Sequence, residues 1–251
     1  MRVTPELFTD DPPRFATVAD DAGRIVAATL RTPPHNQVLS WTDDMDAFDA
    51  LVDALRAEPL PGMLGPTNAA ARFAAGWTDA TGQAARVEVA ERIFRLSSVI
   101  VPDQPASGSW RLAEPHDRDL IARWLVDFST EAMPEAPPFQ DPAATADRWI
   151  ARTGRTVYLW EDGDTVVSFV GAGGETPNGI RIGPVYTPPA GRGRGYASGL
   201  TAAASADQLE CGRRFCFLFT DLANPTSNKI YGAIGYKPVC DVDQIRFDTG
   251  V

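Results

Sequence analysis

Val185 to Ser198 reads V-Y-T-P-P-A-G-R-G-R-G-Y-A-S, an apolar run halted by two prolines and restarted as a helix through a glycine-rich turn. Pro188 and Pro189 have no amide donor, so the strand carrying Ile180 to Thr187 has to end there. From Tyr196 to Cys211 the chain is rich in alanine and free of proline, which favours a helix of about four turns. Between strand and helix, Gly193 and Gly195 permit a sharp turn and leave its N–H groups uncovered. Those donors, the helix dipole and the side chains of Arg192 and Arg194 favour an anion at one point, and a diphosphate would fit.

Two phosphate-binding motifs fail at this turn. A P-loop needs a lysine followed by Ser or Thr after its last glycine, and no such pair follows here. A dinucleotide fingerprint counted from Gly193 and Gly195 finds Ser198 where Gly or Ala is required. Arg192-Gly193-Arg194-Gly195-Tyr196-Ala197 does match Q/R-x-x-G-x-G/A, and it closely resembles the pyrophosphate loop of the GNAT acetyltransferase superfamily. The resemblance implies that Arg192, Gly193, Arg194, Gly195, Tyr196 and Ala197 grip the diphosphate of acetyl-CoA. It also implies that the pantetheine arm lies along the preceding strand at Val185, Tyr186 and Thr187. A solvent-exposed basic turn is the alternative.

Asn224 to Tyr236 resembles a second signature of that family, N-x-x-A/S-x-x-x-Y-x-x-x-G-F/Y. Asn224 can cap a helix whose first position is Pro225, and Gly235 can end it in a left-handed conformation. The resemblance makes Tyr231 the group that protonates the leaving thiolate, and it lets Asn224 and Asn228 contact the pantetheine arm or hold the loop. A core tyrosine and a pure helix cap are the competing explanations.

The chain has 251 residues, 44% hydrophobic content and a net charge of -10, ordinary values for a soluble globular protein of one large or two small domains. The acidic balance disfavours nucleic acid and suits a cationic amine only weakly. No apolar run approaches the ~20 residues of a membrane span, and the amino terminus lacks the order of a signal peptide, so a cytoplasmic protein is expected. Cys211, Cys216, Cys240, His35 and His116 show no metal-ligand spacing, and no metal is expected.

Taken in order, Phe15 to Ala19 and Arg24 to Leu30 read as a hairpin, Gln37 to Trp41 as a short strand, and Asp43 to Ala57 as a helix. A short apolar stretch from Pro61 to Pro66 precedes a helix capped by Thr67, and Val87 to Ile100 reads as a long strand. A proline- and glycine-rich linker at 101–109 then divides a domain at 1–100 from one at 110–251. In the second, W-R-L-A-E-P-H-D-R-D-L-I-A-R-W-L resembles a GNAT opening strand and first helix. A helix near Ala143 to Thr153, a hairpin of Thr156 to Trp160 and Thr165 to Ala172, and a buried parallel strand from Phe215 to Thr220 follow.

Both halves run hairpin, T-P-P-containing segment, helix, apolar strand, helix, strand. The expectation is an α/β (α+β) GNAT fold in tandem, a mixed sheet flanked by helices. Its amino-terminal copy is degenerate and helps shape the acceptor pocket; an unrelated α+β domain could do the same. The chemistry implied is direct attack of a primary amine of a small acceptor on the thioester, with an N–H near Tyr186 polarising the carbonyl and Tyr231 donating the proton. Glu131, Glu135, Glu175 and Asp221 are candidate bases, with water as an alternative, and a homodimer is allowed. A non-catalytic module that binds acyl-CoA is the competing class.

Overall fold

The computed structural model describes residues 12–101, 105–132 and 139–248. Its contacts fall into two compact units. One holds Phe94–Leu218 and Thr226–Pro238, and the other holds the chain up to Ile93, Phe219–Pro225 and the chain from Val239.

In the first unit, β6 (Ser109–Leu112), β7 (Arg155–Asp162), β8 (Thr165–Gly173), β9 (Gly179–Tyr186) and the start of β10 (Phe215–Asp221) lie in the order β10-β9-β8-β7-β6. All pairs are antiparallel except β9 with β10. Alternation sends Tyr158, Trp160, Val170, Ala172, Ile180 and Ile182 to one face, where α5 (Tyr196–Glu210) covers them with Tyr196, Leu200 and Ala204. Val157, Leu159, Phe169 and Tyr186 take the other face, under Ile121, Trp124 and Leu125 of α3 (Arg118–Ala132) and Ala146 of α4 (Pro142–Ile150). With both faces covered, β7 and β8 read as nearly unbroken apolar runs. A single 3-10 turn, Pro115–Asp117, leads into α3, closed by a capping box between Glu114 and Asp117.

The ladder between β9 and β10 runs from Phe215↔Gly179 to Phe217↔Arg181 and stops, while β9 continues to Tyr186. Beyond that point β9 is paired only on its β8 edge among the described residues. A bulge interrupts that edge as well. Val170 pairs with Val185 and Ala172 with Ile182, so Gly183 and Pro184 together oppose Gly171. Pro184 has no amide to contribute, and a bulge is where a strand tolerates it.

In the second unit, β1 (Arg14–Ala19), β2 (Ile25–Arg31), β3 (Gln37–Leu39), β4 (Gly62–Pro66), β11 (Lys237–Phe247) and β5 (Ala85–Leu96) follow one another in that order. β3 and β4 are parallel; β1 with β2, β2 with β3 and β11 with β4 are antiparallel. α1 (Ala47–Leu55) and α2 (Thr67–Thr81) bury Phe48, Leu51, Phe73 and Trp77 against Met63, Ile245 and Phe247. Two helix starts differ from the sequence-based expectation. α1 begins at Ala47 rather than Asp43, because Thr42 and Asp44 are engaged in local turn hydrogen bonds. Thr67 is the first residue of α2, not its cap; that place belongs to Pro66, without a side-chain hydrogen bond.

The two units do not part at the expected 101–109 linker, of which residues 102–104 lie outside the described residues. The reason is strand placement. β11, last in the chain, pairs with β4 from Val242↔Pro66 to Arg246↔Gly62, and so joins the second unit. The end of β5 joins the first, where Phe94 and Leu96 enter the core. No helix among the described residues is long and apolar enough to cross a membrane.

Candidate active site

The turn between β9 and α5 is built as its glycines require. Gly193 and Gly195 have φ of 78° and 83°, left-handed values that cost an L side chain about 1–2 kcal/mol. Gly195 is the N-cap of α5, and no side chain caps the first turn of the helix. The amides of residues 193 to 198 donate to no acceptor among the described residues. A Cβ at Gly193 would meet nothing within 4 Å. Uncommitted N–H groups at a helix N-terminus, next to an exposed turn, can receive an oxyanion.

The two arginines of the turn are already engaged. Arg192 donates from Nε to the Thr187 carbonyl at 2.9 Å and pairs through Nη2 with Glu131, near the end of α3. Tyr186 donates its hydroxyl to the other oxygen of Glu131 at 2.8 Å, and Arg192 lies over the Tyr186 ring, 5.9 Å from its centre. The Arg192 guanidinium first, and the Tyr186 hydroxyl second, hold the Glu131 carboxyl below the usual range. Burial, reinforced by Glu131, pushes the Tyr186 phenol up to about 12. Arg194 is exposed and held up by its hydrogen bond with the Tyr196 hydroxyl, which itself donates to Asp162. Thr187 is fixed through its hydroxyl to Ser168 at 2.8 Å.

Tyr231 lies in α6 (Pro225–Ala233), which starts at Pro225 as expected and is followed by Gly235 at φ 105°. It shares a core cluster with Tyr196 and, at its margin, Val185. Its ring packs against Phe94 and Tyr236, with centroids 6.5 and 6.0 Å away, and only 9% of the residue is exposed. Burial alone pushes its phenol to about 12, so the hydroxyl keeps its proton at neutral pH. Asn228, on the same helix, is half-buried in the first unit. Asn224 belongs to the second unit, where its N–H donates to the Asp221 carbonyl at 3.0 Å.

Of the candidate bases, Glu131 is committed to Arg192 and Tyr186, and Glu175 pairs with Arg213 at 2.5 Å. Asp221 accepts from the Ala223 amide at 2.7 Å. Glu135 lies outside the described residues. The three described carboxylates therefore have structural partners, and none is poised as a free base. Sequence reasoning missed the Tyr186–Glu131–Arg192 cluster, since nothing local links residues so far apart. It also ran β9 straight through Pro184, where a proline inside an apolar strand was the available signal of a bulge.

A model of the acetyltransferase (GNAT) family matches residues 120–236. No curated protein matches the chain in sequence. Among solved structures the chain is similar to a Drosophila protein at 16% identity, with a TM-score of 0.67 over 94% of this chain and 79% of that one. It is similar to a GCN5-related N-acetyltransferase from Kribbella flavida at 15% identity, TM-score 0.60, over 89% of this chain and 87% of that one. A tandem GNAT protein from the clavulanic acid biosynthesis pathway matches at 14% identity, TM-score 0.53, over 96% and 85%. Likeness at such identities is likeness of fold. The stretch matched by the family model takes in most of α3, the glycine turn and Tyr231. Residues 120–236 are thus an acetyltransferase domain of the GNAT family, carried on a chain with a GNAT fold.

Proposed function

We propose that the protein is an N-acetyltransferase that moves the acetyl group of acetyl-CoA to a primary amine of a small acceptor by direct attack. The observation that carries this reading is the turn from Gly193 to Ser198, whose amides are uncommitted among the described residues and whose first three residues are exposed. Their donors and the α5 dipole suit a diphosphate, with Arg192, Arg194, Tyr196 and Ala197 framing it. The edge of β9 that β10 leaves open offers Val185, Tyr186 and Thr187 to an amide-bearing arm. Asn228 is assigned to that arm or to holding the loop beside it.

In the reaction the amine nitrogen bonds to the thioester carbonyl carbon, the C–S bond breaks, and the surplus amine proton leaves to water. An N–H near Tyr186 stabilises the carbonyl oxygen as it gains charge. Tyr231, neutral at physiological pH, gives its proton to the departing thiolate and recovers it from solvent. The engaged state of Glu131, Glu175 and Asp221 favours water over a side-chain base.

Mixing the protein with acetyl-CoA and a panel of amines while following free thiol tests this directly. Amine-dependent thiol release is the expected result. The burial of Tyr231 and the engagement of Arg192 favour a second reading, a module that binds acyl-CoA without turnover. Calorimetric binding of acetyl-CoA without thiol release for any amine would select it.

We further propose that the amino-terminal half is a degenerate copy of the same fold. Hairpin β1–β2, strand β3, α1, parallel strand β4, α2 and β5 repeat the order of β7–β8, β9, α5, β10, α6 and β11. The similar tandem GNAT protein supports this. We place the protein in the cytoplasm.

A further inference from the structure

Arg155 opens β7 on the face that carries Val157 and Leu159, so its side chain enters apolar ground. Glycines make room for it. A Cβ on Gly171 would stand 2.8 Å from Arg155 Cδ, and one on Gly173 would stand 3.0 Å from Arg155 Cβ. The guanidinium carbon lies over the Trp149 ring, 4.9 Å from its centre. Its Nη1 is shut off from solvent and meets no acceptor. Among the described residues no carboxylate pairs with it, and the charge it feels is Arg181, of the same sign. Burial first, and Arg181 second, pull the guanidinium down to about 10.

A half-buried cation beside a second cation, with one nitrogen shut off from solvent and without an acceptor, works against folding unless an anion completes it. The slot that holds Arg155 is also where β9 bulges. The same Cβ on Gly171 would lie 3.0 Å from the Gly183 carbonyl oxygen and 3.2 Å from Pro184 Cδ. Val185, the start of the segment assigned to the pantetheine arm, is the next residue. Arg155 therefore sits on the α3 and α4 side of the sheet, the side of Tyr186, beside the strand on which the thioester would lie.

We propose that Arg155 receives the carboxylate of the acceptor, making the substrate a small amino-acid-like molecule whose amine is acetylated. This rests on the N-acetyltransferase reading above. With Trp149 beneath the guanidinium and Nη1 enclosed, a ligand has to reach the N–H edge from the side on which Nη1 lacks an acceptor. A planar, singly charged carboxylate matches that edge through paired N–H donors.

The test is calorimetric titration of the common free amino acids and their carboxamides into the full chain, for wild type, Arg155→Met and Arg155→Lys. At least one amino acid is expected to bind wild type about 10- to 100-fold more tightly than its amide, the range for a hydrogen bond to a charged group. Arg155→Met should erase the preference, and Arg155→Lys should keep only part of it. Because Arg155→Met removes an uncompensated charge, its melting temperature should not fall. Acetyl-CoA binding, titrated separately, reports on the transferase reading and not on this one. If no amino acid is preferred over its amide, if the preference survives in Arg155→Met, or if that variant melts several degrees lower or fails to fold, the assignment is overturned.

Discussion

Tyr186 donates its phenolic hydrogen to Glu131 across 2.8 Å, and the second oxygen of the same carboxylate holds Arg192. The end of β9, the end of α3 and the first residue of the glycine turn are thereby tied at one carboxylate. On the function proposed above, a diphosphate arriving at the turn would compete with Glu131 for the same guanidinium.

Replacing Glu131 by Gln should therefore tighten acetyl-CoA binding. Arg192 and Glu131 are 50% and 40% exposed, so the pair is worth at most about 1 kcal/mol, and a gain of about 2- to 5-fold in affinity is expected. The gain should shrink as salt is raised, because exposed charges are screened. Glu131 has its folded pKa lowered, so its pairing is present above the unfolded value of about 4.3 and is lost as pH falls through the lower folded one. Calorimetry at two salt concentrations checks this. Weaker binding by the Gln variant would mean that Glu131 positions Arg192 for the ligand.

Gly195→Val should abolish acetyl-CoA binding while leaving a folded protein. At φ 83° a β-branched residue is strained, and the nearest protein atom to a new Cβ is Ala106 Cβ at 3.6 Å, an ordinary contact. The cost to folding is then backbone strain of about 1–3 kcal/mol, visible as a lower melting temperature. The cost to binding is the larger one, since the side chain occupies space before the amides. Wild-type affinity in this variant would remove the turn from the site.

The strand–turn–helix unit was legible in sequence because its determinants are local. Pro188 and Pro189 stop β9, Gly193 and Gly195 reverse the chain, and an alanine-rich run carries α5 for 15 residues. Tyr231 was legible as a residue two turns into a proline-started helix, but its burial under Phe94 was not. Phe94 belongs to a strand far back in the chain, and one sequence does not reveal such pairings. The same limit hid β11 from its partner β4 and Glu131 from Tyr186. Arg155 could have been noticed, since it holds the same phase as Val157 and Leu159 in a strand with both faces covered.

Gly199 gives a purely structural expectation. It lies one turn into α5, where a Cβ would stand 3.1 Å from Trp160 Cη2 and 3.3 Å from Cζ3, closer than side chains normally approach. Trp160 is itself fixed by an indole N–H donated to the Ser107 carbonyl at 2.7 Å, so it has little freedom to yield. Gly199→Val should overpack this contact and destabilise the first unit by about 1–3 kcal/mol. Denaturant titration checks it. A midpoint equal to wild type would show that Trp160 can move aside.

Tyr231→Phe separates the proposed proton donation from the packing. The ring, with its contacts to Phe94 and Tyr236, is kept, and only the hydroxyl is lost. Turnover should fall by about 10- to 1,000-fold with acetyl-CoA affinity little changed, the pattern of an interaction made only in the transition state. The phenol titrates at about 12, so as an acid it stays competent from neutral pH to well above 9. In wild type, no loss of turnover below pH 10 should trace to this group. Its raised pKa also means that the neutral form is favoured by folding. That contribution is complete below the unfolded value of about 10 and disappears as pH climbs through 12. Steady-state kinetics across this range, run on both proteins, separates the two roles. Equal turnover by the Phe variant would leave Tyr231 as a core residue and send the search for the acid elsewhere.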